Sequence, residues 1–190
     1  TLSAGIRQEW QTTIGGIHLG PRAGLAWSPF RHGRTTVRAG AGLFFDWLDA
    51  ASALHASQLD GTHQHVDTVL APATYPALPT GLTSNVLGNG RIRFADGLAQ
   101  PEIRQASVGV EQTYGPVRLA TTLLHRQGAH ELRGIDANAP VNGARPDVSA
   151  GPITEVRPVA RSGATALSVN LNIVRPERHM FIAANYTLAS

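Results

Sequence analysis

Apolar and polar residues alternate with a period of two along much of the chain, and the longest such stretch covers residues 21–47. The apolar positions of this stretch are Ala23, Leu25 and Trp27, followed by Val37, Ala39, Ala41, Leu43 and Phe45. Because successive side chains of a strand point to opposite faces, the pattern predicts two strands that each have an apolar and a polar face. Pro29 ends the first strand since it has no amide hydrogen to donate to a ladder, and residues 31–33 supply the bend.

Five further segments show the same alternation, at residues 2–10, 103–113, 117–127, 165–174 and 180–188. The sequence therefore predicts about seven strands of roughly nine to eleven residues, with a short helix over residues 50–59. Short connections are predicted at residues 29–34, 114–116 and 175–178, and longer ones at residues 12–20, 48–101 and 128–160.

Strand length, alternation and the inequality of the connections are typical of a bacterial outer-membrane barrel. In hydrocarbon every backbone amide needs a partner, so the strands must close on themselves. We expect an all-β fold, an antiparallel up-and-down transmembrane β-barrel segment, in which residues 1–190 form part of one barrel domain. Outer-membrane lipid would contact the apolar faces, and residues 48–101 and 128–160 would be long external loops. Aromatic residues near the predicted strand ends would suit the membrane interfaces: Trp10, Trp27, Phe30, Trp47, Tyr114 and Tyr186.

Composition narrows the function classes. Charged residues make up only 15% of the chain, below the quarter or so that is usual for soluble domains. The chain has no Cys, which excludes disulfides and thiolate metal sites. All 16 basic residues other than His are Arg, but the net charge of +3 is small and scattered, so nucleic acid is not an expected partner. No apolar run reaches the roughly 18 residues of a membrane helix.

The polar faces carry the residues that we expect to face the lumen of a barrel. These are Arg7, Glu9, Arg22, Arg38, Glu111, Arg118, Asn170 and Asn172. We hypothesise that the Arg and Glu residues form a ladder that contacts a plug domain and water. The alternative is that these charges only solvate the wall.

Few residues suggest a metal site or catalysis. His63 and His65 are weak metal candidates, because imidazole binds Zn, Cu or Ni, but a hydrophilic external loop explains them as well. No Ser/His/Asp set, paired carboxylates or metal-site motif supports a reaction centre. We therefore predict no cofactor and no enzymatic activity.

Residues 21–46 resemble a block of the TonB-dependent outer-membrane receptors, and the nearest group is the Oar-like, carboxypeptidase-regulatory-domain-containing type. The block reads PRAGLAWSPF, then GRTTVRAGAG, then LFFD. Further similarity lies at QASVGVE (105–111), GAHEL (128–132), Asn138-Ala139-Pro140, Arg145-Pro146, residues 167–171 and residues 185–188. The chain departs from the family at Phe44-Phe45-Asp46, where the family usually puts Tyr and then Asp after the first Phe.

The resemblance implies a barrel of about 22 strands, of which seven would be a third. It also implies active import of a scarce nutrient, such as a siderophore, glycan or peptide, with TonB, a plug domain and an unknown small ligand as partners. The chain shows no plug domain and no TonB box, and it begins Thr-Leu-Ser-Ala-Gly without a signal peptide. We therefore expect a piece of a longer protein.

A soluble or surface β-sandwich binding domain without a transport role would show the same alternation. The two architectures differ in what their apolar faces contact. In a sandwich these faces bury each other, whereas in a membrane barrel they remain on the outside.

Overall fold

The computed structural model describes residues 1–30, 33–64, 68–69, 86–87 and 90–190. Its strands are β1 (Leu2–Trp10), β2 (Ile17–Trp27), β3 (Thr35–Phe45), β4 (Thr68–Val69), β5 (Val86–Leu87), β6 (Arg91–Phe94), β7 (Glu102–Tyr114), β8 (Val117–Asp136), β9 (Ile153–Arg175) and β10 (Met180–Ala189). One α-helix, α1 (Ala50–Gln58), follows β3, and a 3₁₀ turn, Pro176–Arg178, lies between β9 and β10.

The main sheet has the strand order β1-β2-β3-β7-β8-β9-β10, so sequential long strands are neighbours. The pairs β1–β2, β2–β3, β3–β7, β7–β8 and β9–β10 are antiparallel. The short strand β6 pairs in parallel with β9, and β4 pairs with β5. This order confirms the predicted all-β, up-and-down architecture.

The chain divides into two compact units. The first, here called the strand unit, comprises residues 1–46, 101–130 and 161–190. The second, the loop unit, comprises residues 47–100 and 131–160. Strands β8 and β9 contribute residues to each of them.

In the strand unit, the register joins the apolar residues of each strand into one apolar face. Val108 opposes Ala39 on one side and Leu123 on the other, and Leu171 opposes Ala184. Directly opposed residues of antiparallel strands share a face, so the alternation of each strand is carried across the sheet. The register thus produces the apolar and polar faces that the sequence predicts.

The apolar face is the exposed one. Val108 is 47% exposed and Leu123 is 43% exposed, while the polar-face neighbours Ser107 and Gly109 are less exposed. A β-sandwich would bury these apolar side chains against a second sheet. The strand unit therefore does not have the arrangement that the sandwich alternative requires.

Buried apolar side chains are few among the described residues: Ile14, Leu48, Ala56 and Ala150. Only the first of these belongs to the strand unit. A dry apolar centre thus contributes little to the strand unit, and its order rests on the backbone hydrogen bonds of the ladder. No helix in the described part of the chain is long and apolar enough to cross a membrane.

Two strands are longer than the sequence predicts. Strand β8 continues to Asp136 and β9 begins at Ile153, so the connection between them is residues 137–152 rather than 128–160. The extension has an irregular side-chain pattern, with Gly128, Gly134 and Pro158 among its residues. Backbone bonds such as that from Ala137 N–H to Ile153 C=O, 2.7 Å, maintain the strands where the alternation fails.

The helix and the short connections follow the prediction closely. Helix α1 covers residues 50–58 of the predicted 50–59, and Asp49 caps it by accepting a hydrogen bond from Ser52 N–H at 2.9 Å. The connection of β7 to β8 is the pair Gly115–Pro116. Between β2 and β3, Gly33 N–H donates to Phe30 C=O at 3.1 Å, while the predicted bend residues Arg31 and His32 lie outside the described residues.

The first connection is shorter than predicted. Strand β2 begins at Ile17, so the connection is residues 11–16 rather than 12–20. The added residues pair with β1, with Ile17 opposite Trp10 and Leu19 opposite Gln8. Pro21 therefore lies inside β2 rather than at its start, and the predicted loop over residues 12–20, with its three glycines, is shorter than expected.

Candidate functional site

The polar face of the strand unit carries three of the predicted charged residues opposite small ones. Arg22 opposes Gly42, Arg38 opposes Gly109, and Glu111 opposes Ala120. A small residue opposite each of these three charges leaves room for long side chains to reach diagonally to the next strand. The polar face can therefore form ion pairs that cross strands.

One such group joins three of the predicted residues. Arg118 lies 2.9 Å and Arg38 lies 3.8 Å from the two carboxylate oxygens of Glu111. The Glu111 side chain is 23% exposed, whereas both guanidinium side chains are more than half exposed. The shared carboxylate connects β3, β7 and β8 through their side chains.

Two more of the predicted residues, Arg7 and Glu9, form an ion pair within β1. Arg7 Nε is 2.8 Å from Glu9 Oε1, and the carboxylate side chain is only 5% exposed. The two residues are two apart on one strand and so share a face. This pair opposes Gly20 and His18 of β2.

Arg22 makes a different contact from the one predicted. Its guanidinium carbon lies 4.2 Å from the centroid of the Phe44 ring, which is a cation–π geometry. Phe44 belongs to the segment in which the chain departs from the Oar-like receptors. The contact gives that aromatic ring a role on the polar face.

Asn170 and Asn172 lie on β9, where the polar face continues onto β10. Asn170 opposes Asn185, Asn172 opposes Ala183, and the hydroxyls of Ser168 and Thr187 are 3.3 Å apart. Val174 N–H donates to Pro116 C=O at 3.0 Å, which fixes the register of β8 and β9. With that register, the even-numbered residues of both strands share a face, so the two asparagines lie on the same face as Arg118.

A shallow depression adjoins two members of the ion group, Arg38 and Glu111. It has a volume of about 270 Å³, and Gly40, Ser107 and Gly109 line it beside Arg38 and Glu111. Such a volume has room for several water molecules. The depression can hold water or a small polar group beside the Arg38 guanidinium and the Glu111 carboxylate.

Of the two predicted metal candidates, the structure describes His63. His63 Nδ1 lies 2.8 Å from Asp60 Oδ2, and the imidazole side chain is 71% exposed. Thr62 and His63 also donate backbone N–H groups to Asp60, so the carboxylate organises a local turn. His65 lies outside the described residues. Within the described ranges, no group of three His, Cys, Asp or Glu residues could hold a metal ion.

The loop unit contains a buried polar network that the sequence pattern did not reveal. The Asn138 residue is 2% exposed, and its Nδ2 donates to the carbonyls of Asp147, Ala150 and Gly151 at 2.9, 3.2 and 2.9 Å. Its Oδ1 accepts from Asp147 N–H at 2.8 Å. The Asn138 side chain thus holds the two ends of the connection between β8 and β9 together through hydrogen bonds to its backbone.

Charged groups support the same network. Arg145 donates to Asn138 C=O at 2.6 Å and to Asp136 Oδ2 at 3.1 Å. The only signals in the sequence were Asn138-Ala139-Pro140 and Arg145-Pro146, which entered through resemblance and not through a physical argument. A turn-forming Asn before Ala-Pro does not by itself show that its side chain is buried.

A second ion group of the loop unit was also missed. Arg93 and Arg157 both contact the carboxylate of Glu155, whose side chain is 10% exposed. Residues 93 and 155 are opposed in the parallel pair β6–β9. The sequence predicted no strand at residues 91–94, so it could not bring this Arg to that Glu.

Comparisons with known proteins agree on the fold. A protein-family model described as an outer membrane beta barrel domain matches residues 10–190. No curated protein sequence matches the chain. The siderophore receptor PirA from Pseudomonas aeruginosa is similar in structure, with a TM-score of 0.64 and 15% identity over 100% of this chain and 31% of that one.

Two further solved structures are similar. The outer membrane transporter YddB from Escherichia coli has a TM-score of 0.69 and 14% identity over 99% of this chain and 22% of that one. A mutant of the ferric enterobactin receptor PfeA from Pseudomonas aeruginosa has a TM-score of 0.67 and 15% identity over 99% and 24%. The chain thus spans between a fifth and a third of these proteins. On the family match, the chain belongs to the outer-membrane β-barrel domain family, and its place is the bacterial outer membrane.

Proposed function

We propose that the chain is a wall segment of a TonB-dependent outer-membrane receptor that imports a scarce nutrient, such as a siderophore, a glycan or a peptide. The Oar-like type is the group that the sequence resembles at residues 21–46. The likeness to a siderophore receptor and to an outer-membrane transporter supports the proposal at the level of fold. Transport belongs to the parent protein, together with the plug domain and TonB that we propose as its partners.

The observation that carries the proposal is the exposure of the apolar face. Trp10 opposes Ile17 at one end of β2, and Trp27 ends that strand ten residues later. Ten residues at roughly 3.3 Å each, tilted by about 40°, cover about 25 Å of height, which is the height of the apolar band of such barrels. Both Trp side chains are more than half exposed, as aromatic residues at the two interfaces would be.

We further propose that the polar face lines the lumen. The residues are those of the sequence prediction: Arg7, Glu9, Arg22, Arg38, Glu111, Arg118, Asn170 and Asn172. The partial shielding of Glu111 between two guanidinium groups supports a role in holding a plug surface or ordered water. Opposite charges at this spacing can exchange partners with polar groups of a plug as it moves.

The long connections would form the external, substrate-catching side of the receptor. Residues 48–101 and 128–160 were predicted as external loops, and most of them fall in the loop unit. The network around Asn138 supports this role, because a pre-ordered connection loses less conformational entropy when it binds a ligand. We propose no catalytic role and no cofactor; the similar proteins named above are receptors and a transporter.

Uptake assays on cells that express the parent protein test the import function. Radiolabelled ferric siderophores, oligosaccharides and peptides are offered with and without functional TonB. We expect accumulation of one class, dependent on TonB. Surface-exposed, folded protein without TonB-dependent accumulation of any class would contradict the proposal.

The lumenal role of the ion group has its own test. In the parent protein, Arg38→Gln combined with Arg118→Gln leaves Glu111 without its two guanidinium partners. We expect reduced uptake and weaker protection of the plug against proteolysis. Arg178→Gln, in the exposed turn before β10, is the control. Unchanged uptake and plug protection in the double variant would show that the charges only solvate the wall.

A further inference from the structure

On β7 and β8 the apolar face of the strand unit becomes polar at one end. On β7 the apolar positions end at Ala106, and the next two residues on that face are Arg104 and Glu102. On β8 the residues opposite Ala106 and Arg104 are His125 and Gln127. The change occurs at the end of the strands remote from the Gly115–Pro116 turn. On these two strands a polar band therefore continues the face that would contact lipid, whereas β3 keeps Leu43 opposite Arg104 and Phe45 opposite Glu102.

A cleft of about 520 Å³ lies in this band, and all its lining residues belong to the strand unit. Arg104, Arg161, His125 and His130 line it, with Glu102 as its carboxylate. Arg104 pairs with Glu102 at 2.8 Å and keeps a side chain that is 70% exposed. Two guanidinium groups and two imidazoles face one carboxylate, so the cleft has an excess of donors and of positive charge.

The backbone at His130 supports a binding role for the cleft. Its φ angle is +56°, in the left-handed region that side chains other than Gly seldom adopt. Residues held in such conformations cluster at binding sites, where the strain fixes the direction of a side chain. Here the residue so held is one of the two imidazoles of the cleft.

An apolar groove of about 490 Å³ adjoins the cleft and shares three residues with it: Arg104, His125 and Gln127. A row of small side chains underlies the groove, since Ala41 opposes both Ala23 and Ala106. The donors and charges thus stand at one end of an apolar trough on the same face. This combination fits an amphiphile with an anionic head.

We propose that the cleft binds the phosphorylated head of an outer-leaflet lipid, with an acyl chain along the alanine row. The short turns of outer-membrane barrels lie on the periplasmic side, so the polar band would lie at the level of the outer headgroups. The guanidinium fork pairs with phosphate oxygens in a bidentate manner. The apolar groove favours a lipid over free phosphate, because free phosphate has no apolar chain that could occupy the groove. The site does not depend on which nutrient the parent protein imports.

Binding of lipid A to the purified parent protein in zwitterionic detergent tests this site. The variant combines Arg104→Gln with Arg161→Gln. The control is Arg126→Gln, which lies on β8 beside these residues but opposes Gln105 on the other face. Loss of a charge-assisted hydrogen bond weakens binding by about tenfold or more. We expect a loss of about that size for each Arg and no change in the control.

Several outcomes decide the question. Native mass spectrometry and fluorescent lipid A titration should show retention by the wild type, and Arg104→Lys with Arg161→Lys should restore part of it in a folded barrel. Lipid A binding by the folded Gln variant that equals the wild type would overturn the proposal. Competition by phosphatidylcholine micelles that is as strong as that by lipid A would also overturn it. So would displacement of lipid A by inorganic phosphate at equal concentration, since that result assigns the cleft to free phosphate.

Discussion

The strand unit and the loop unit differ in charge and in what stabilises them. The strand unit contains eleven Arg and five acidic residues, whereas the loop unit contains five Arg and eight acidic residues. The strand unit exposes its apolar side chains and depends on the ladder, while the loop unit buries Leu48, Ala56, Ala150 and the side chain of Asn138. The first arrangement is stable where lipid covers the apolar face, and the second is stable in water.

A charge placed on the apolar face should have the largest effect. Val108→Arg puts a guanidinium among Ala39 and Leu123, in the middle of the apolar rows. Near the bilayer midplane such a charge costs about 2–4 kcal/mol. We expect that loss in the free energy of folding into lipid vesicles, measured by denaturant titration of the parent protein.

The matched control is Ser107→Arg, one residue away on the polar face and opposite Gly40. There the guanidinium would be in water on the face that carries Glu111, so we expect little change in the free energy of folding. If both substitutions reduced folding equally, the two faces would not differ in environment, and the contrast between the units would fail.

In the loop unit, the largest loss of stability is expected from substitution of the buried Asn138 side chain. Asn138→Ala removes the donors to three carbonyls and the acceptor for one amide N–H, all within residues 147–151. Leaving buried polar groups without partners costs about 1–3 kcal/mol each before local relaxation. We expect a loss of about 2–4 kcal/mol in local stability, measured by hydrogen exchange of residues 137–152.

Val148→Ala, in the same connection and 87% exposed, is the control and should leave exchange unchanged. The barrel itself should still migrate as a folded species in unheated gels. Loss of that folded species in Asn138→Ala would mean that the loop unit also stabilises the strands.

Two glycines allow a matched comparison of smaller effect. Gly115, in the β7–β8 turn, has φ +53°, and Gly143, in the loop unit, has φ +85°. A Cβ added at either position meets no atom within 4 Å, so Ala at each would pay only the left-handed backbone cost of about 1–2 kcal/mol. We expect Gly115→Ala to slow folding of the barrel and Gly143→Ala to raise exchange only near the Val141–Ala144 bridge. Slower barrel folding in Gly143→Ala, or faster exchange near the Val141–Ala144 bridge in Gly115→Ala, would contradict the division into units.

The sequence predicted the strand unit well because one rule governs it. Alternation places side chains, and the register then follows from matching apolar rows, as Val108 opposite Leu123 shows. The ends of β8 and β9 were missed because ladder bonds continue where alternation stops. Apart from helix α1, the order of the loop unit was missed because it comes from contacts such as Asn138 to Gly151, which no local pattern encodes.

The sequence did contain two unused signals. Glu102 and Arg104 occupy apolar positions of β7, so they interrupt the alternation that predicted the strand. An interruption at a strand end can mark the level at which lipid gives way to water. The Asn142-Gly143 pair was another, since this dipeptide favours the tight turn that forms the Val141–Ala144 bridge.

The smallest expected effect is that of acid, which should reduce the stability of the loop unit. In the loop unit, the hydroxyl and amide of Ser149 donate to Asp147 and lower its pKa below the ordinary 3.8. The hydroxyl and amide of Thr62 likewise lower the pKa of Asp60. A depressed folded-state pKa contributes stability above the unfolded value of 3.8, and that contribution is lost as the pH falls through the lower folded value.

We therefore expect protease sensitivity of residues 137–152 to rise only below about pH 4. Ser149→Ala removes the hydroxyl donor, so the folded pKa of Asp147 should return toward 3.8 and its contribution should shrink. The variant should then lose part of the difference in protection between pH 6 and pH 3, with Val148→Ala as the control. An acid response that is the same in Ser149→Ala as in the wild type would mean that the Asp147 turn does not stabilise the loop unit.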